Sequence, residues 1–129
     1  MSKTGLSSVS DLARTAPGLR LLVLFGSRAR GESHPGSDWD FGYLADPDFD
    51  SSDFLAGLVL RLETDRIDLV NLGRAGGLLR FRVAAEGQPL FEASPGSFVR
   101  FWFAAVSFWC DMRHIFEAGY EEILQDLRA

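Results

Sequence analysis

The chain has 129 residues, a mass of 14.3 kDa, 47% apolar residues and a formal net charge of −5. This length and composition suit one globular domain, which we expect to span residues 1–129, with a core part at about 8–92 and a C-terminal helical segment at about 95–128. The negative charge disfavours extended nucleic-acid binding, and with it a polymerase working on a long template, because such binding neutralises many phosphates. The single cysteine, Cys110, excludes an internal disulfide and agrees with a reducing cytosol.

The N-terminal segment contains no apolar run of the kind found in export signals, so we predict a cytoplasmic protein. A short helix is expected to follow, running through Leu12 and Ala13 and ending before Pro17. Ser8 or Ser10 is predicted to cap its N-terminus.

The turn after the first apolar segment has the features of a phosphate-binding site. Residues Leu19–Phe25 are mostly apolar and predict a buried strand, which ends at Gly26 and Ser27. A short helix is expected to begin at Ser27, with the Ser27 hydroxyl as its cap, and to reach Gly31. Free N–H groups and the positive end of the helix dipole would then lie where a phosphate can bind.

Two arginines lie in the same turn. Arg30 is a candidate for contact with phosphate or with a partner, because a guanidinium binds phosphate oxygens in bidentate fashion. The alternative for Arg30 is a surface salt bridge to Glu32 or to one of the aspartates. Arg28 is a weaker candidate for the same role. His34, in the loop of residues 32–37, is either a nucleotide contact or an ordinary solvated histidine.

Three aspartates on two predicted strands indicate a metal site. Ten residues separate Ser27 from Asp38, and Asp38 and Asp40 alternate on a predicted strand through Leu44, so their carboxylates should share one face. Asp68 interrupts a later apolar segment. Carboxylates placed together repel one another, and a divalent cation such as Mg²⁺ is the usual reason for the arrangement. Two Mg²⁺ ions held by these acids would support phosphoryl or nucleotidyl transfer. The alternative is that they are ordinary acids at strand ends.

The rest of the predicted α/β pattern surrounds this site. Acidic residues at 50–53 can cap a helix whose apolar positions should face the sheet. A third strand then carries Asp68, and a glycine-rich turn at 73–77 leads to a helix at about 78–85 and a short edge strand at 88–92. Arg74, Arg80 and Arg82 make this region locally positive, facing a nucleotide, an acidic partner or solvent. The positions expected to face the sheet from the first of these helices are Phe54, Leu55, Leu58, Val59 and Leu62.

The C-terminal segment, residues 97–127, predicts a helix or a helix pair with an apolar stripe. The residues of the stripe are Phe98, Phe101, Trp102, Ala105, Phe108, Trp109, Met112 and Phe116. Phe103 and Val106 lie outside it, so more than half of the circumference is apolar, yet the apolar run is too short to span a bilayer. We expect one side to pack on the sheet and the other to meet a partner or a second copy in a homodimer, with plain core as the alternative.

These motifs resemble those of the nucleotidyltransferase superfamily of DNA polymerase β type. More closely, the chain is similar to minimal nucleotidyltransferase (MNT-domain) antitoxins, the partners of HEPN-domain toxins. The resemblance covers residues 19–92 and implies a DNA polymerase β-like fold, a small mixed β-sheet flanked by helices; the C-terminal third is similar only in being helical. The matching positions are Gly26, Ser27, Ala29, Arg30, Gly31, Asp38, Asp40 and Asp68.

The resemblance also implies an activity. It is the transfer of AMP from ATP to a hydroxyl, typically of a tyrosine, on a cognate HEPN ribonuclease toxin. Gly26 and Ser27 would hold the β and γ phosphates, Asp38 and Asp40 would bind Mg²⁺, and Asp68 would bind the metal near the nucleophile and accept its proton. Two alternatives remain: a small-molecule nucleotidyltransferase of the aminoglycoside-modifying type, and an antitoxin that blocks its toxin sterically.

Overall fold

The computed structural model describes the backbone of residues 2–128 and the side chains of residues 5–113 and of Gln125. Helices and strands alternate along the chain, as the hydrophobic pattern predicts for an α/β protein. In chain order they are α1 Ser2–Thr15, β1 Leu19–Phe25, α2 Ser27–Arg30, β2 Trp39–Ala45, α3 Ser51–Leu62, β3 Ile67–Asn71, α4 Gly77–Glu86, β4 Gln88–Glu92 and α5 Ser97–Arg128.

The four strands form one mixed sheet in the order β3-β2-β1-β4. Strand β1 pairs antiparallel with both β2 and β4, whereas β2 and β3 run parallel. The C-terminal end of β1 therefore lies beside the N-terminal ends of β2 and β3. The prediction that residues 88–92 form an edge strand is confirmed.

Helices cover both faces of the sheet, which explains why β1 is apolar almost throughout. On one face, α1 and α3 pack Val9 and Leu58 against Leu22, Leu24 and Phe41. On the other face, helices α4 and α5 pack against the alternate residues of β1. The buried residues of this second cluster are Leu21, Val23, Phe25, Leu72, Val83, Ala84, Phe101 and Ala105.

Two predictions about helix caps have opposite outcomes. The prediction that Ser8 or Ser10 caps the first helix is wrong, because α1 begins at Ser2 and both serines lie inside it. The Ser10 hydroxyl instead donates a hydrogen bond of 3.1 Å to the carbonyl of Leu90 and so ties α1 to β4. The predicted acidic cap of α3 is confirmed, since the Asp50 carboxylate accepts a hydrogen bond of 3.0 Å from the Asp53 N–H.

The C-terminal segment is one helix of 32 residues, not a helix pair. Phe101 and Ala105 are buried against the sheet, and Val106 packs beside them although the predicted stripe excluded it. The side chain of Phe116 lies outside the described residues. Away from these buried residues, several large apolar side chains of α5 are exposed, as expected for a helix with apolar residues around most of its circumference: Val99, Trp102 and Phe103. Phe108 is also half-exposed, but it lies on the same side of the helix as Phe101 and Ala105, and its ring lies against Gly77 at the start of α4.

No helix in the described part of the chain combines the length and apolar character needed to cross a membrane.

Candidate active site

The turn between β1 and α2 has a backbone conformation that only glycine adopts readily. Gly26 has φ 77° and ψ −160°, and Gly31, which ends α2, has φ 74°. The residue that caps α2 is Gly26, and Ser27 is the first residue of the helix, so the prediction that the Ser27 hydroxyl caps it is wrong. The carbonyl of Gly26 accepts the N–H groups of Ala29 and Arg30, each at 3.1 Å. The preceding N–H groups, those of Ser27 and Arg28, have no acceptor within the helix and mark the candidate phosphate position.

Gly26 also lies in close contact with Asp40, one of the candidate metal ligands. Phe25 pairs with Asp40 across the β1–β2 ladder, which brings the next residue over the Asp40 side chain. A Cβ atom at position 26 would lie 2.2 Å from Asp40 Oδ2, far inside van der Waals contact. The absence of a side chain at Gly26 is therefore what allows the carboxylate to lie directly under the turn.

Two of the predicted aspartates are neighbours on adjacent strands. Asp40 of β2 and Asp68 of β3 are direct partners in the parallel ladder. Leu44 and Val70, further along the same faces of these strands, pack in the cluster on the side of α4 and α5. Side chains alternate along a strand, so both aspartates project towards that side of the sheet.

The ionisation of Asp40 reflects this arrangement. Its own burial, followed by the negative charges of Asp68 and then Asp38, raises the pKa of Asp40 above the ordinary value of 3.8. The positive charges of Arg82 and Arg30 oppose this effect and lower the pKa. The three aspartates therefore share one electrostatic environment, and a bound cation would favour the ionised form of Asp40.

Asp38 is placed differently from the prediction. It precedes β2, which begins at Trp39, so it does not alternate with Asp40 on the strand. Pairing starts one residue later, where the Trp39 N–H donates to the carbonyl of Arg66 at 2.9 Å. The Asp38 side chain is exposed and forms an ion pair with Arg66, with 3.2 Å between Oδ1 and Nε.

Within the described residues, no three His, Cys, Asp or Glu side chains form a ready-made set of metal ligands. The donor chemistry nevertheless fits Mg²⁺, which prefers carboxylate oxygens and needs only one or two of them besides water and phosphate. Asp40 and Asp68 are two such donors. Asp38 is the third acid of the predicted set, and its carboxylate here faces Arg66.

Arg30 is held by two glutamates beside the turn. Its Nε donates to Glu32 at 2.8 Å, and its Nη1 donates to both carboxylate oxygens of Glu86, at 3.1 and 3.2 Å. These hydrogen bonds, to Glu32 first and then Glu86, raise the pKa of Arg30. The salt bridge to Glu32, given above as the alternative to a phosphate or partner contact, is present, and the second partner of Arg30 is Glu86 of α4 and not an aspartate.

Arg28 has a structural role that the sequence pattern did not reveal. Its Nη2 donates to the carbonyl of Ser37 at 2.8 Å, and its guanidinium lies 4.1 Å from the centre of the Trp39 ring. The imidazole of His34 accepts the Gly36 N–H at 3.1 Å. Arg28 and His34 thus order the loop of residues 32–37, which leads directly to Asp38 and Asp40. The sequence could not predict this role of Arg28, because every residue has a backbone carbonyl and the residue type does not show which carbonyl accepts a hydrogen bond.

Comparisons with known proteins agree with this geometry. The family model described as polymerase beta, nucleotidyltransferase matches residues 8–96. The chain is 35% identical over 97 residues to a protein adenylyltransferase MntA from Aphanizomenon flos-aquae (strain 2012/KM1/D3). That match covers 66% of this chain and spans 65% of the length of the relative.

Two solved structures are similar over nearly the whole chain. The first is a toxin–antitoxin with AMP-PNP, with a TM-score of 0.72 and 28% identity, covering 96% of this chain and 98% of the other. The second is a tri-AMPylated Shewanella oneidensis HEPN toxin in complex with MNT antitoxin, with a TM-score of 0.69 and 26% identity over 100% of both chains. From its fold and its matched residues, the chain belongs to the polymerase beta nucleotidyltransferase family.

Proposed function

We propose that this protein is a Mg²⁺-dependent protein adenylyltransferase antitoxin. It transfers AMP from ATP to a hydroxyl, that of a tyrosine, on a cognate HEPN ribonuclease toxin and thereby neutralises the toxin. The observation that carries the proposal is the pairing of Asp40 with Asp68 directly under the Gly26 turn. Support comes from a relative named as a protein adenylyltransferase and from similar chains in toxin–antitoxin structures, one with AMP-PNP and one with an AMPylated toxin.

The acids at the ends of β2 and β3 are the proposed metal ligands. Asp38, Asp40 and Asp68 supply the oxygen donors, and two Mg²⁺ ions would neutralise the triphosphate and stabilise the attacking and leaving oxygens. Asp40 stays ionised when its charge is balanced in this way, although burial and its neighbours raise its pKa.

The protein residues then have separate tasks in the transfer. Gly26 and Ser27 hold the β and γ phosphates: Gly26 forms the turn, and the free N–H groups of Ser27 and Arg28 at the start of α2 donate to the phosphate oxygens. The toxin hydroxyl attacks the α phosphorus, the bond from that phosphorus to the oxygen that bridges to the β phosphate breaks, and pyrophosphate leaves. Asp68, exposed at the edge strand, accepts the proton of the hydroxyl. Most of the rate comes from positioning and from charge stabilisation.

The exposed side of α5 is the proposed surface for the toxin. Val99, Trp102 and Phe103 lie three and four residues apart and form one apolar strip along the helix, with exposures of 65%, 41% and 67%. Large exposed apolar groups that lie together tend to mark interaction sites. A homodimer through the same strip is the competing use of this surface.

Position-specific labelling of ATP tests the transfer directly. With the toxin and Mg²⁺ present, label in the α phosphate should become bound to the toxin, whereas label in the γ phosphate should appear only in pyrophosphate. Asp68→Asn should abolish the labelling while sparing more of the nucleotide affinity than Asp40→Asn does. Asp46→Asn serves as the control, since Asp46 is an exposed acid at the other end of β2. Label from the γ phosphate on the toxin would contradict adenylyl transfer.

A further inference from the structure

We propose that Arg82 is a further polyphosphate-binding residue of this site, and that Glu86 is a positioning residue that holds Arg30 and Arg82 together at its mouth. This inference rests on the proposed function. The ligand class is a nucleoside triphosphate, and the contacts are made to its β and γ phosphates.

Glu86 joins the two arginines from the last turn of α4. Both of its carboxylate oxygens accept hydrogen bonds from Arg30 Nη1, at 3.1 and 3.2 Å. Arg82, one helical turn earlier, places its Nη2 3.6 Å from Glu86 Oε1. The Glu86 side chain is only 23% exposed, so its carboxylate is held between the two guanidinium groups and not free in solvent.

The end of α4 is fixed to the candidate phosphate turn by a second contact. Gln88, just after the helix, donates a hydrogen bond of 2.8 Å from its amide to the carbonyl of Ala29 in α2. Val83 and Ala84 of α4 pack in the same cluster as Val70, the residue two positions after Asp68 on the same face of β3. Helix α4 therefore lies on the face of the sheet towards which Asp40 and Asp68 project, with its C-terminal end beside α2.

Arg82 has donors available for a ligand. Among the described residues it makes no hydrogen bond, because 3.6 Å to Glu86 is too long for one, and its side chain is 53% exposed. Arg30 uses Nε for Glu32 and Nη1 for Glu86, which leaves its Nη2 without a hydrogen bond within the same part of the structure. A guanidinium has five N–H donors, so each arginine can bind phosphate without losing its glutamate.

The two arginines are accompanied by two glutamates, so this group of four side chains carries no net positive charge. Glu32 and Glu86 balance the charges of Arg30 and Arg82, and Glu86 brings the two guanidinium groups to one carboxylate. The charge of Arg82 also reaches the acids, since it lowers the pKa of Asp40. Through Glu86, which contacts both arginines, Arg82 is also linked to Arg30 of the turn. Arg82 is therefore near both the acids and the turn, where the pyrophosphate of the proposed reaction would form.

Nucleotide affinity in the absence of toxin tests this assignment. Calorimetry with Mg²⁺ should show that Arg82→Ala raises the Kd of ATP about tenfold, since charge-assisted hydrogen bonds are lost, and leaves the Kd of AMP unchanged. Glu86→Gln should raise the Kd of ATP about threefold with AMP again unaffected, because the arginines lose their orientation and not their charge. Arg20→Ala is the matched control, since it removes an exposed arginine at the far end of β1, where Arg20 pairs with Asp46.

Each outcome separates this inference from the proposed function. An unchanged ATP Kd in Arg82→Ala, with wild-type protein binding ATP, would overturn the role of Arg82 alone. An equal loss of ATP and AMP affinity in Glu86→Gln, together with a lower Tm, would mean that Glu86 only stabilises the fold. Wild-type protein that binds no ATP in Mg²⁺ would remove the proposed function and this inference with it. Arg82→Gln, which keeps most of the side-chain length, gives the same comparison if the alanine variant is unstable.

Discussion

Gly26 is the residue on which the shape of the site depends most. Its positive φ is strained for any other residue, and an added Cβ would meet Asp40 Oδ2 at 2.2 Å. Gly26→Ala should therefore lower the free energy of unfolding by about 2 kcal/mol and also displace the Asp40 carboxylate, so that Mg²⁺-dependent ATP binding is lost. Denaturant unfolding and calorimetry measure the two effects.

Gly31 provides the matched control for this change. Its φ is also positive, at 74°, but a Cβ at position 31 would have no atom within 4 Å. Gly31→Ala should cost about 1 kcal/mol from backbone strain and leave ATP affinity intact. If Gly26→Ala behaves like Gly31→Ala in both measurements, the contact with Asp40 has no part in the site.

The raised pKa of Asp40 predicts how stability depends on pH. Between 3.8 and the raised value, the folded state binds more protons than the unfolded state, so the free energy of unfolding falls as pH increases through that window. In EDTA, Asp40→Asn should be more stable than wild type at pH 7, and the difference should shrink below about pH 4. Added Mg²⁺ should raise the Tm of wild type but not that of Asp40→Asn.

Asp46→Asn is again the control, and its Tm should stay close to that of wild type in each buffer because surface ion pairs such as Arg20–Asp46 contribute little. A lower stability of Asp40→Asn at pH 7 in EDTA would show that Asp40 is not a repelled carboxylate in the folded protein.

At the scale of elements, α5 contains two tryptophans with different surroundings. Trp109 stacks on Phe81 of α4, with ring centres 5.4 Å apart, whereas Trp102 is 41% exposed in the strip with Val99 and Phe103. Trp102→Ala should weaken toxin binding or self-association, costing about 2 kcal/mol or more of binding free energy, and should leave Tm unchanged. Trp109→Ala should instead lower the stability by about 1 kcal/mol or more.

Sedimentation and titration with the toxin distinguish the two uses of the strip. If Trp102→Ala loses toxin binding, the strip contacts the toxin. If it loses only dimer formation, the strip contacts a second copy of the chain. If Trp102→Ala unfolds the protein, or changes neither association, the strip is ordinary surface or core.

Helices and strands could be predicted from the sequence where a regular pattern of apolar residues continued without interruption. Strands β1, β3 and β4 and helices α3 and α4 lie close to their predicted positions because runs of apolar residues and local caps define them. Helix α1 begins earlier than predicted, since Ser8 and Ser10 look like caps in sequence but lie inside a helix held by tertiary packing. Asp38 lies outside β2 because pairing begins one residue later, at Trp39, whose N–H donates to the carbonyl of Arg66. Arg66 is distant in sequence, so no local pattern marks this start.

At the scale of the whole molecule, the candidate site joins residues that only the fold brings together. The sequence pattern indicated Gly26, Ser27, Asp38, Asp40 and Asp68 because their types and spacing carry chemistry of their own. It did not indicate the bidentate contact of Arg30 with Glu86, which joins residues 56 apart in the chain. Long-range ion pairs follow from the sheet order, and no local pattern encodes them.

In the proposed function, the protein neutralises its toxin by covalent transfer of AMP and not by steric blocking. Intact-mass spectrometry of the toxin, combined with a ribonuclease assay on the same samples, tests this most directly. With wild-type protein, ATP and Mg²⁺, we predict a toxin heavier by one or more AMP units and inactive after the antitoxin is removed. With Asp68→Asn, the toxin should keep its mass and regain activity on removal. A toxin that is inhibited by wild-type protein but unmodified in mass would contradict the proposed transfer and favour steric blocking.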